Sequence, residues 1–316
     1  MTLTELRYIV AVARERHFGR AAQRCYVSQP TLSIAIKKLE DELGVMLFER
    51  GGAEVAVTEI GERIVEQAQR VLEEADAIKR LAGEHQNELV GPLKLGVIFT
   101  IGPYLLPKLI PALRVLAPDM PLYLEENYTA RLAEMLKRGE VDAIIVADPF
   151  DEPGTLAYPL YDEPFVVATP KGHPWEKRAA VKAQELGDEG ESVLLLTQGN
   201  CFRDQVLASC SELASRQAQH GGLAGMLQGS SLNTIRHMVA SGMGITVLPT
   251  TSVGANDAAL FSVVPFADPT PLRRVMLVTR KQFSRKKAIE TLQQAVFRSG
   301  LEGVTMLEEE AAGQPS

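Results

Sequence analysis

The sequence contains no apolar run approaching the roughly 18 residues that a membrane-spanning helix needs. Its first residues, MTLTELRYIVAVARERHF, lack the basic stretch and the small-residue cleavage site of a signal peptide and are typical of an amphipathic helix. These two absences predict a cytoplasmic protein with no membrane partner. They also argue against an exported solute-binding protein.

Cysteine is scarce, with three residues in a chain of 316, at positions 25, 201 and 210. Three cysteines in a chain of this length do not form a disulfide framework. No histidine or further cysteine stands at a metal-ligand interval beside Cys201 and Cys210, so the sequence predicts no metal and no cofactor. In a reducing compartment, paired cysteines are more often catalytic, redox-sensing or metal-binding than structural.

The chain also lacks an overall positive charge, since its net charge is −7, which argues against indiscriminate binding to nucleic acid. The charge is unevenly distributed, however. Residues 1–39 carry seven basic and two acidic side chains, a net of +5, which leaves −12 for the remainder. A basic N-terminal module on an acidic body suggests a DNA-binding head on a regulatory domain, although solvated helix faces with a chance bias would give the same charges.

The first 58 residues have the pattern of a winged helix-turn-helix. Apolar spacing predicts helices over about 4–16, 19–24 and 29–43, the last burying Leu32, Ile36, Leu39 and Leu43. The alternating residues 54–58 after a Gly-Gly turn predict a β-hairpin wing. The third helix would enter the major groove, with Gln and Thr side chains on base edges and lysines on phosphates. The predicted DNA-binding residues are Ser28, Gln29, Pro30, Thr31, Ser33, Lys37, Lys38 and Arg50.

Residues 59–92 predict a long linker helix followed by a hinge. Its apolar positions are spaced four, three, four, three and four apart, which is a heptad-like seam. One interpretation is a dimerising helix that sets the spacing of two heads, and the other is a helix packed on its own domain. The seam consists of Ile64, Ala68, Val71, Ala75, Ile78 and Ala82.

Strand-like and helical runs alternate over residues 93–302, which predicts an α/β regulatory domain with a mainly parallel sheet. The long return near residues 265–281 suggests two lobes joined by two crossovers, as in periplasmic-binding-protein-like folds. Lobe I would comprise about 93–164 and 268–302, and lobe II about 165–267. The acidic tail, 303–316, is predicted to be disordered.

The segment from Gln198 to Cys210 carries the chemistry. Asn200 is a plausible N-cap, which makes Cys201 the first residue of a helix, where free N–H groups and the helix dipole lower a thiol pKa. Arg203 would add positive charge nearby. A thiolate there can attack the O–O bond of a peroxide and become a sulfenic acid, with which Cys210 can condense.

Helix geometry adds a constraint. Nine helical steps separate the two cysteines by roughly 13 Å and place them on opposite faces. A disulfide needs Cα atoms about 4.4–6.8 Å apart, so oxidation would have to refold the segment. The alternative is that both cysteines are inert core residues. Cys25 is interpreted as packing, and Thr100, Thr129 and Ser231, which precede predicted helices, as helix caps.

The head sequence SQPTLSIAIKKLEDELGVMLFER followed by VTEIG resembles the winged helix of the LysR-type transcriptional regulators, with Val57 where the family usually has leucine. GNCFRDQVLASC, together with FTIGPYLLPKLIPAL, ENYT and SSLNTIRHMVASGMGITVLP, resembles the hydrogen-peroxide-sensing branch of that family. The resemblance implies that Cys201 reacts with peroxide and Cys210 resolves it. It further implies that Thr100 and Thr129 hold peroxide or a water, and that the reduced site is supported by Arg203, Asp204 and Arg273.

One position departs from the family pattern. Many members have histidine before the reactive cysteine, whereas this chain has Asn200, which cannot exchange protons as a base near neutral pH. The departure puts the rate of oxidation in doubt, but not the cysteine pair.

The predicted function is a peroxide-responsive activator of oxidative-stress genes. It would bind promoter DNA as a dimer of dimers, engage RNA polymerase and be reset by a cellular dithiol reductant. The first alternative is a LysR-type regulator that binds a small anionic metabolite between the lobes and has idle cysteines. The second is a thiol peroxidase, which would leave the winged helix unexplained.

Overall fold

The computed structural model describes residues 1–49, 55–82, 88–187, 192–219 and 228–307. The head is a three-helix unit with a short antiparallel β-ribbon, in which Phe48 pairs with Val57 and Glu49 with Ala56. This confirms the predicted winged helix-turn-helix. The elements of the head are α1 (Leu3–Glu15), α2 (Phe18–Arg24), α3 (Gln29–Leu43), β1 (Phe48–Glu49) and β2 (Ala56–Val57).

Side-chain caps define where the helices of the head begin. Thr2 and Glu5 form a reciprocal capping box on α1, and His17 accepts hydrogen bonds from the first N–H groups of α2. Ser28 accepts from the N–H of Thr31 and begins α3, as the sequence predicts. The helix ends at Leu43, as predicted, but the predicted burial of Leu43 is wrong, because this side chain is 37% exposed beside the left-handed Gly44 that closes the helix.

The linker helix α4 (Glu59–Ala82) packs its first half on its own head. Ala68 is buried there, and Ile64 and Val71 of the predicted seam are partly buried against the same core. The side chains of Ile78 and Ala82 lie outside the described residues. These three residues of the seam therefore pack within one chain, and dimerisation through the seam stays a prediction.

The same helix also contacts the regulatory domain of its own chain. Glu73 Oε1 lies 2.8 Å from Arg280 Nε, and Glu66 Oε2 lies 3.8 Å from Lys137 Nζ. Gly139 allows this approach, because a Cβ atom there would lie 2.6 Å from the Gln69 amide. The helix is thus held between the head and the regulatory domain.

The regulatory domain alternates strands and helices, as the sequence predicts. Its elements are β3 (Leu93–Ile98), α5 (Gly102–Leu116), β4 (Leu122–Asn127), α6 (Thr129–Lys137), β5 (Ala143–Ala147), β6 (Thr155–Thr169), β7 (Val193–Leu196), α7 (Cys201–Ser209), α8 (Ser211–Gln219), β8 (Gln228–Gly229), α9 (Leu232–Ala240), β9 (Ile245–Pro249), β10 (Ser262–Pro265), β11 (Leu272–Arg280), α10 (Lys286–Phe297) and β12 (Thr305–Met306).

Two separate hydrophobic cores define two lobes, one around β3, β5, α5 and α10 and the other around β7, β9 and α9. The strands β6 and β11 run antiparallel to each other between them. The expected parallel pairing holds for β3 with β4 and β5, and for β7 with β8 and β9. The crossover strands are antiparallel to their neighbours, so the sheet is mixed and not mainly parallel.

Two further expectations are corrected. In this part of the chain only the apolar run 165–169 predicts a strand by its sequence, but β6 begins ten residues earlier, at Thr155, despite Pro159 and Pro164. The tail is predicted to be disordered from residue 303, but β12 pairs with β6, and Leu307 N–H donates to Leu160 O. Backbone pairing with an open strand edge therefore orders residues 303–307, and residues 308–316 lie outside the described residues.

Candidate redox site and DNA-binding surface

The helix α7 bridges the two lobes. Cys201 at its first position packs partly buried against the core of lobe I, whereas Phe202 and Val206 are buried in the core of lobe II. Gln205 Nε2 donates a 2.7 Å hydrogen bond to Asp148 O in lobe I. A change in this helix would therefore affect the contact between the lobes.

Asn200 precedes α7, as predicted, but its side chain does not cap the helix. Its Nδ2 donates instead to Thr197 O at 3.1 Å and to Thr197 Oγ1 at 3.4 Å. The turn between them depends on Gly199, which has a φ of +97°. This turn fixes Asn200 beside Cys201 and leaves the first N–H groups of α7 without an asparagine cap.

A cavity of about 10 Å³ brings Cys201 together with residues of lobe I. Such a volume holds roughly one water molecule. The cavity contains three of the predicted supporting residues, Thr100, Thr129 and Asn200. Its lining is completed by Ile98, Phe99, Asn127, Tyr128 and Gly199.

The two threonines of the cavity are not the helix caps that the sequence suggests. Thr100 precedes the cap residue of α5, and Thr129 is the first residue of α6. Of the three threonine and serine residues, only Ser231 caps its helix, by accepting from Thr234 N–H at 3.2 Å. Thr129 Oγ1 is buried and has no hydrogen-bond partner within the described parts of the chain. Its hydroxyl is therefore available to a small polar molecule in the cavity.

Arg273 fixes the other threonine. Its Nη1 donates to Thr100 Oγ1 and its Nη2 to Thr100 O, both at 2.9 Å. Because Thr100 Oγ1 already accepts this bond, its own hydrogen can be donated into the cavity. Arg273, which is predicted to support the site, thus contacts the cavity through Thr100.

Glu163 completes this arrangement, and the sequence reasoning missed it. The fully buried carboxylate accepts a 2.7 Å hydrogen bond from Arg273 Nε and, in lobe II, one from Thr251 N–H at 3.0 Å. Glu163 and Arg273 are register partners on β6 and β11, where the two crossovers meet. No local sequence pattern contains this pair, since 110 positions separate the two residues.

Arg203 and Asp204 take different places. Arg203 is buried, and its Nη1 donates to Leu196 O at 2.8 Å, so it ties α7 to β7 of lobe II. Asp204 is exposed in the first turn of α7. Neither residue lines the cavity that contains Cys201.

Cys210 lies at the joint between α7 and α8. It is 1% exposed within the core of lobe II, and its Sγ accepts from the N–H of Leu213 at 3.4 Å. Because Cys210 directly precedes α8, this contact is an N-cap. Burial is the largest influence on the thiol and raises its pKa, which keeps Cys210 protonated.

The two thiols cannot be joined in this arrangement. Residues 201–209 are helical, so the Cα atoms of Cys201 and Cys210 are separated by roughly 13 Å, about twice the distance that a disulfide allows. All three cysteines are free. Cys25 packs partly buried against the core of the head, in agreement with the interpretation of this residue as packing.

The predicted DNA-binding residues that the structure describes lie on α3 and at its cap. Gln29, Pro30, Thr31, Lys37 and Lys38 are exposed along α3. Ser33 is half-buried, and the hydroxyls of Ser28 and Thr31 lie 2.7 Å apart in the cap. The predicted residue Arg50 lies outside the described residues.

Two exposed apolar residues on α3 and in the turn before it were missed by the sequence reasoning. Ile34 on α3 is 70% exposed, and Tyr26 in the turn before α3 is 95% exposed with a φ of +57°. The signal for Ile34 was available, because it is an isoleucine on the polar side of the predicted helix. Large exposed side chains on a recognition helix suit contacts with thymine methyl groups.

Within the described ranges, no helix is both long and apolar enough to cross a membrane. The same ranges contain no group of three or more His, Cys, Asp or Glu side chains that could hold a metal ion.

Comparisons with known proteins match both parts of the chain. Residues 3–62 match the bacterial regulatory helix-turn-helix family named for lysR, and residues 86–299 match the LysR substrate binding domain. The chain is 40% identical over 306 residues to the DNA-binding transcriptional dual regulator OxyR of Escherichia coli strain K12, covering 96% of this chain and 97% of that protein.

Solved structures of OxyR proteins are also similar to this chain. A full-length OxyR from Pseudomonas aeruginosa, with a cysteine replaced by aspartate, has a TM-score of 0.84 and 49% identity, covering 98% of this chain and 99% of that one. A cysteine-to-serine variant of Corynebacterium glutamicum OxyR with hydrogen peroxide bound has a TM-score of 0.62 and 32% identity, covering 96% and 93%. This chain therefore belongs to the LysR family of bacterial regulatory proteins, within its OxyR branch.

Proposed function

We propose that this protein is a peroxide-responsive transcriptional regulator that acts on promoter DNA in the cytoplasm. The observation that carries the proposal is the cavity that joins Cys201 to the hydroxyls of Thr100 and Thr129. The second cysteine, Cys210, lies at the far end of the same helix. An oxidant held in this cavity meets one thiol, and the refolding of the helix brings in the other.

The first step is the attack of the Cys201 thiolate on one oxygen of hydrogen peroxide. The S–O bond forms as the O–O bond breaks, and the departing hydroxide takes a proton to become water. We propose that Thr100 and Thr129 hold the two oxygens, and the hydrogen bond from Arg273 to Thr100 Oγ1, which orients this hydroxyl, supports the proposal. These groups perform the positioning that an imidazole next to the cysteine would otherwise share, since the amide of Asn200 can form hydrogen bonds but cannot act as an acid or a base near neutral pH.

The second step links the cysteines. The Cys210 thiol condenses with the Cys201 sulfenic acid to give a disulfide and water, so that the two steps oxidise two thiols and reduce one peroxide to two waters. Because the helix keeps the thiols apart, α7 must unwind before the bond forms. Formation of the bond also withdraws Cys210 from the core of lobe II and removes the cap of α8. A dithiol reductant reverses the reaction by thiol–disulfide exchange.

The proposed refolding of α7 affects the DNA-binding heads through the two lobes and the linker helix. The helix α7 contacts both lobes, and lobe I contacts the linker helix through Arg280 and Lys137. We propose that rearranged lobes respace the heads of a dimer of dimers and thereby engage RNA polymerase. A groove of about 500 Å³ lined by Leu43, Ile60 and Ile64 supports self-association along the linker helix.

The size of the cavity favours peroxide over a metabolite. Sites for metabolites and cofactors occupy about 300–1,000 Å³, whereas the cavity at Cys201 has about 10 Å³. The winged helix favours a regulator over a thiol peroxidase, because a peroxidase has no use for a DNA-reading surface.

The test uses DNA fragments selected from a random pool by the reduced protein. Reduced and peroxide-treated wild type should give different footprints on these fragments. Cys201→Ser should bind them but keep the reduced footprint after treatment, and Cys25→Ser should respond as wild type does. Cys210→Ser keeps the cap but loses the resolving thiol, so it should form the sulfenic acid without a disulfide.

A footprint shift in peroxide-treated Cys201→Ser would contradict the proposal. So would a thermal stabilisation of the wild type by small metabolites that leaves both thiols unreacted and shifts the footprint. The latter result would favour the metabolite-responsive alternative.

A further inference from the structure

Two large aromatic side chains stand at the cavity that contains Cys201. Phe99 follows β3, and Tyr128 precedes α6. Their rings pack edge to face, with centroids 5.3 Å apart and an interplanar angle of 78°. Both also line the cavity, and they are 41% and 39% exposed. They are therefore partly exposed to solvent and also line the cavity that Cys201 lines.

The rest of the lining is held in place. Ile98 is buried, Thr100 is bonded to Arg273, and Asn200 is bonded to Thr197. The aromatic pair contains the only large half-exposed side chains of this lining. Displacing these two rings is the easiest way for a molecule larger than the cavity to enter, because Ile98, Thr100 and Asn200 are held by the core or by hydrogen bonds.

We propose that Phe99 and Tyr128 form an aromatic gate that selects the oxidant by size, admitting hydrogen peroxide and excluding bulky organic hydroperoxides. This inference rests on the proposed reaction of Cys201 with peroxide. It adds two specificity-determining residues to that site.

The selection follows from the shape of the oxidants. Hydrogen peroxide is little larger than the water that fits the cavity. An aryl or tertiary alkyl hydroperoxide carries its substituent directly on the second oxygen, and this substituent does not fit in a cavity of about 10 Å³ that the two rings line. Edge-to-face packing is attractive, and it holds the rings together against displacement.

The same bonds form and break with both oxidants, so a change in the ratio of the two rates from one variant to another reports access to Cys201. The Cys201 thiolate attacks the terminal oxygen of the hydroperoxide, the O–O bond breaks, and the alkoxide leaves and takes a proton to become the alcohol. Cys201 is oxidised by two electrons, and the hydroperoxide is reduced by two.

The experiment measures the rate of sulfenic acid formation at Cys201 by trapping and mass spectrometry, with hydrogen peroxide and with cumene hydroperoxide. The full chain carries Cys210→Ser so that the sulfenic acid accumulates. The test variants are Phe99→Ala and Tyr128→Ala. The controls are Tyr128→Phe, which keeps the ring, and Tyr123→Ala, which removes an exposed tyrosine from β4 outside the cavity.

We expect the ratio of the hydrogen peroxide rate to the cumene hydroperoxide rate to fall by roughly tenfold in Phe99→Ala and in Tyr128→Ala. The two controls should keep the ratio of the parent. Phe99→Leu provides a second test if circular dichroism shows that Phe99→Ala is unfolded, and it should lower the ratio in the same direction.

An unchanged ratio in the folded variants would overturn the gate, and so would a parent protein that reacts equally fast with both oxidants. A parent in which Cys201 reacts with neither oxidant would instead overturn the proposed function. The two failures are therefore distinguishable.

Discussion

The two cysteines of α7 lie at opposite ends of one nine-residue helix, in two different surroundings. Cys201 is half-buried at the edge of lobe I, in a cavity with two hydroxyls. Cys210 is buried in the core of lobe II, where its sulfur caps the next helix. One thiol is partly exposed beside two hydroxyls, and the other is buried and accepts a hydrogen bond from the next helix.

The difference explains how one segment can be both stable and switchable. The core of lobe II and the cap of α8 stabilise the reduced arrangement and keep Cys210 away from oxidants. In the proposed switch, the free energy gained by forming the disulfide has to exceed the stabilisation lost from the core of lobe II and from the cap of α8. The hydrogen bonds from Arg273 to Glu163 and to Thr100 hold in place one wall of the cavity beside Cys201, which is the proposed oxidant site.

The largest expected difference between the two thiols is their reactivity. In the reduced native protein, we expect iodoacetamide to label Cys210 roughly a hundredfold more slowly than Cys201, because labelling Cys210 requires local opening. Peptide mapping of timed samples measures both rates. In denaturant the two rates should become similar, and equal rates in the native protein would remove the contrast between the two surroundings.

The next largest effect concerns the buried ion pair of Glu163 and Arg273, which lies behind Thr100. Glu163→Gln leaves Arg273 buried without its carboxylate, and we expect the free energy of unfolding to fall by about 3 kcal/mol. Asp162→Asn, which removes the exposed neighbouring pair with Arg274, should cost less than about 1 kcal/mol. Urea unfolding measures both, and equal costs would show that the buried pair is not a special support.

A smaller effect tests the cap at the resolving end. Cys210→Ala removes the acceptor for the N–H of Leu213 and should cost about 1 kcal/mol, whereas Cys210→Ser restores an oxygen acceptor. Hydrogen exchange of the Leu213 amide reports the cap directly. It should be faster in Cys210→Ala than in Cys210→Ser, and indistinguishable exchange would contradict the capping role.

The smallest effect is a dependence on pH. Burial raises the pKa of the Cys210 thiol in the folded protein, so its contribution to stability is fully present below the pKa of an unfolded cysteine, about 8.5. That contribution is lost as the pH rises through the higher folded pKa. From about pH 8 to pH 10, the wild type should lose more unfolding free energy than Cys210→Ser. Parallel curves from urea unfolding at each pH would contradict this prediction.

Local sequence signals were sufficient for the head. The winged helix follows from apolar periodicity, from the Ser28 cap and from Pro30 in the first turn of α3. The course of β6 was not predictable in the same way, because Pro159 and Pro164 argue locally against a strand that long-range pairing with β11 stabilises.

The site divides along the same line. The position of Cys201 at the start of a helix was predictable from its neighbours in sequence. The contact between Arg273 and Thr100 joins residues 173 positions apart, and no local pattern contains it. The prediction that the side chain of Asn200 caps α7 is wrong. The turn at Gly199 directs this side chain to Thr197 instead.

The central claim is that oxidation joins the two ends of α7. The most direct measurement is peptide mapping under non-reducing conditions, after the reduced full chain has reacted with a slight excess of hydrogen peroxide. The account predicts a peptide that links Cys201 to Cys210 while Cys25 remains a free thiol. A product in which Cys201 carries only sulfenic or sulfinic acid and Cys210 stays free, or a bridge that includes Cys25, would contradict it.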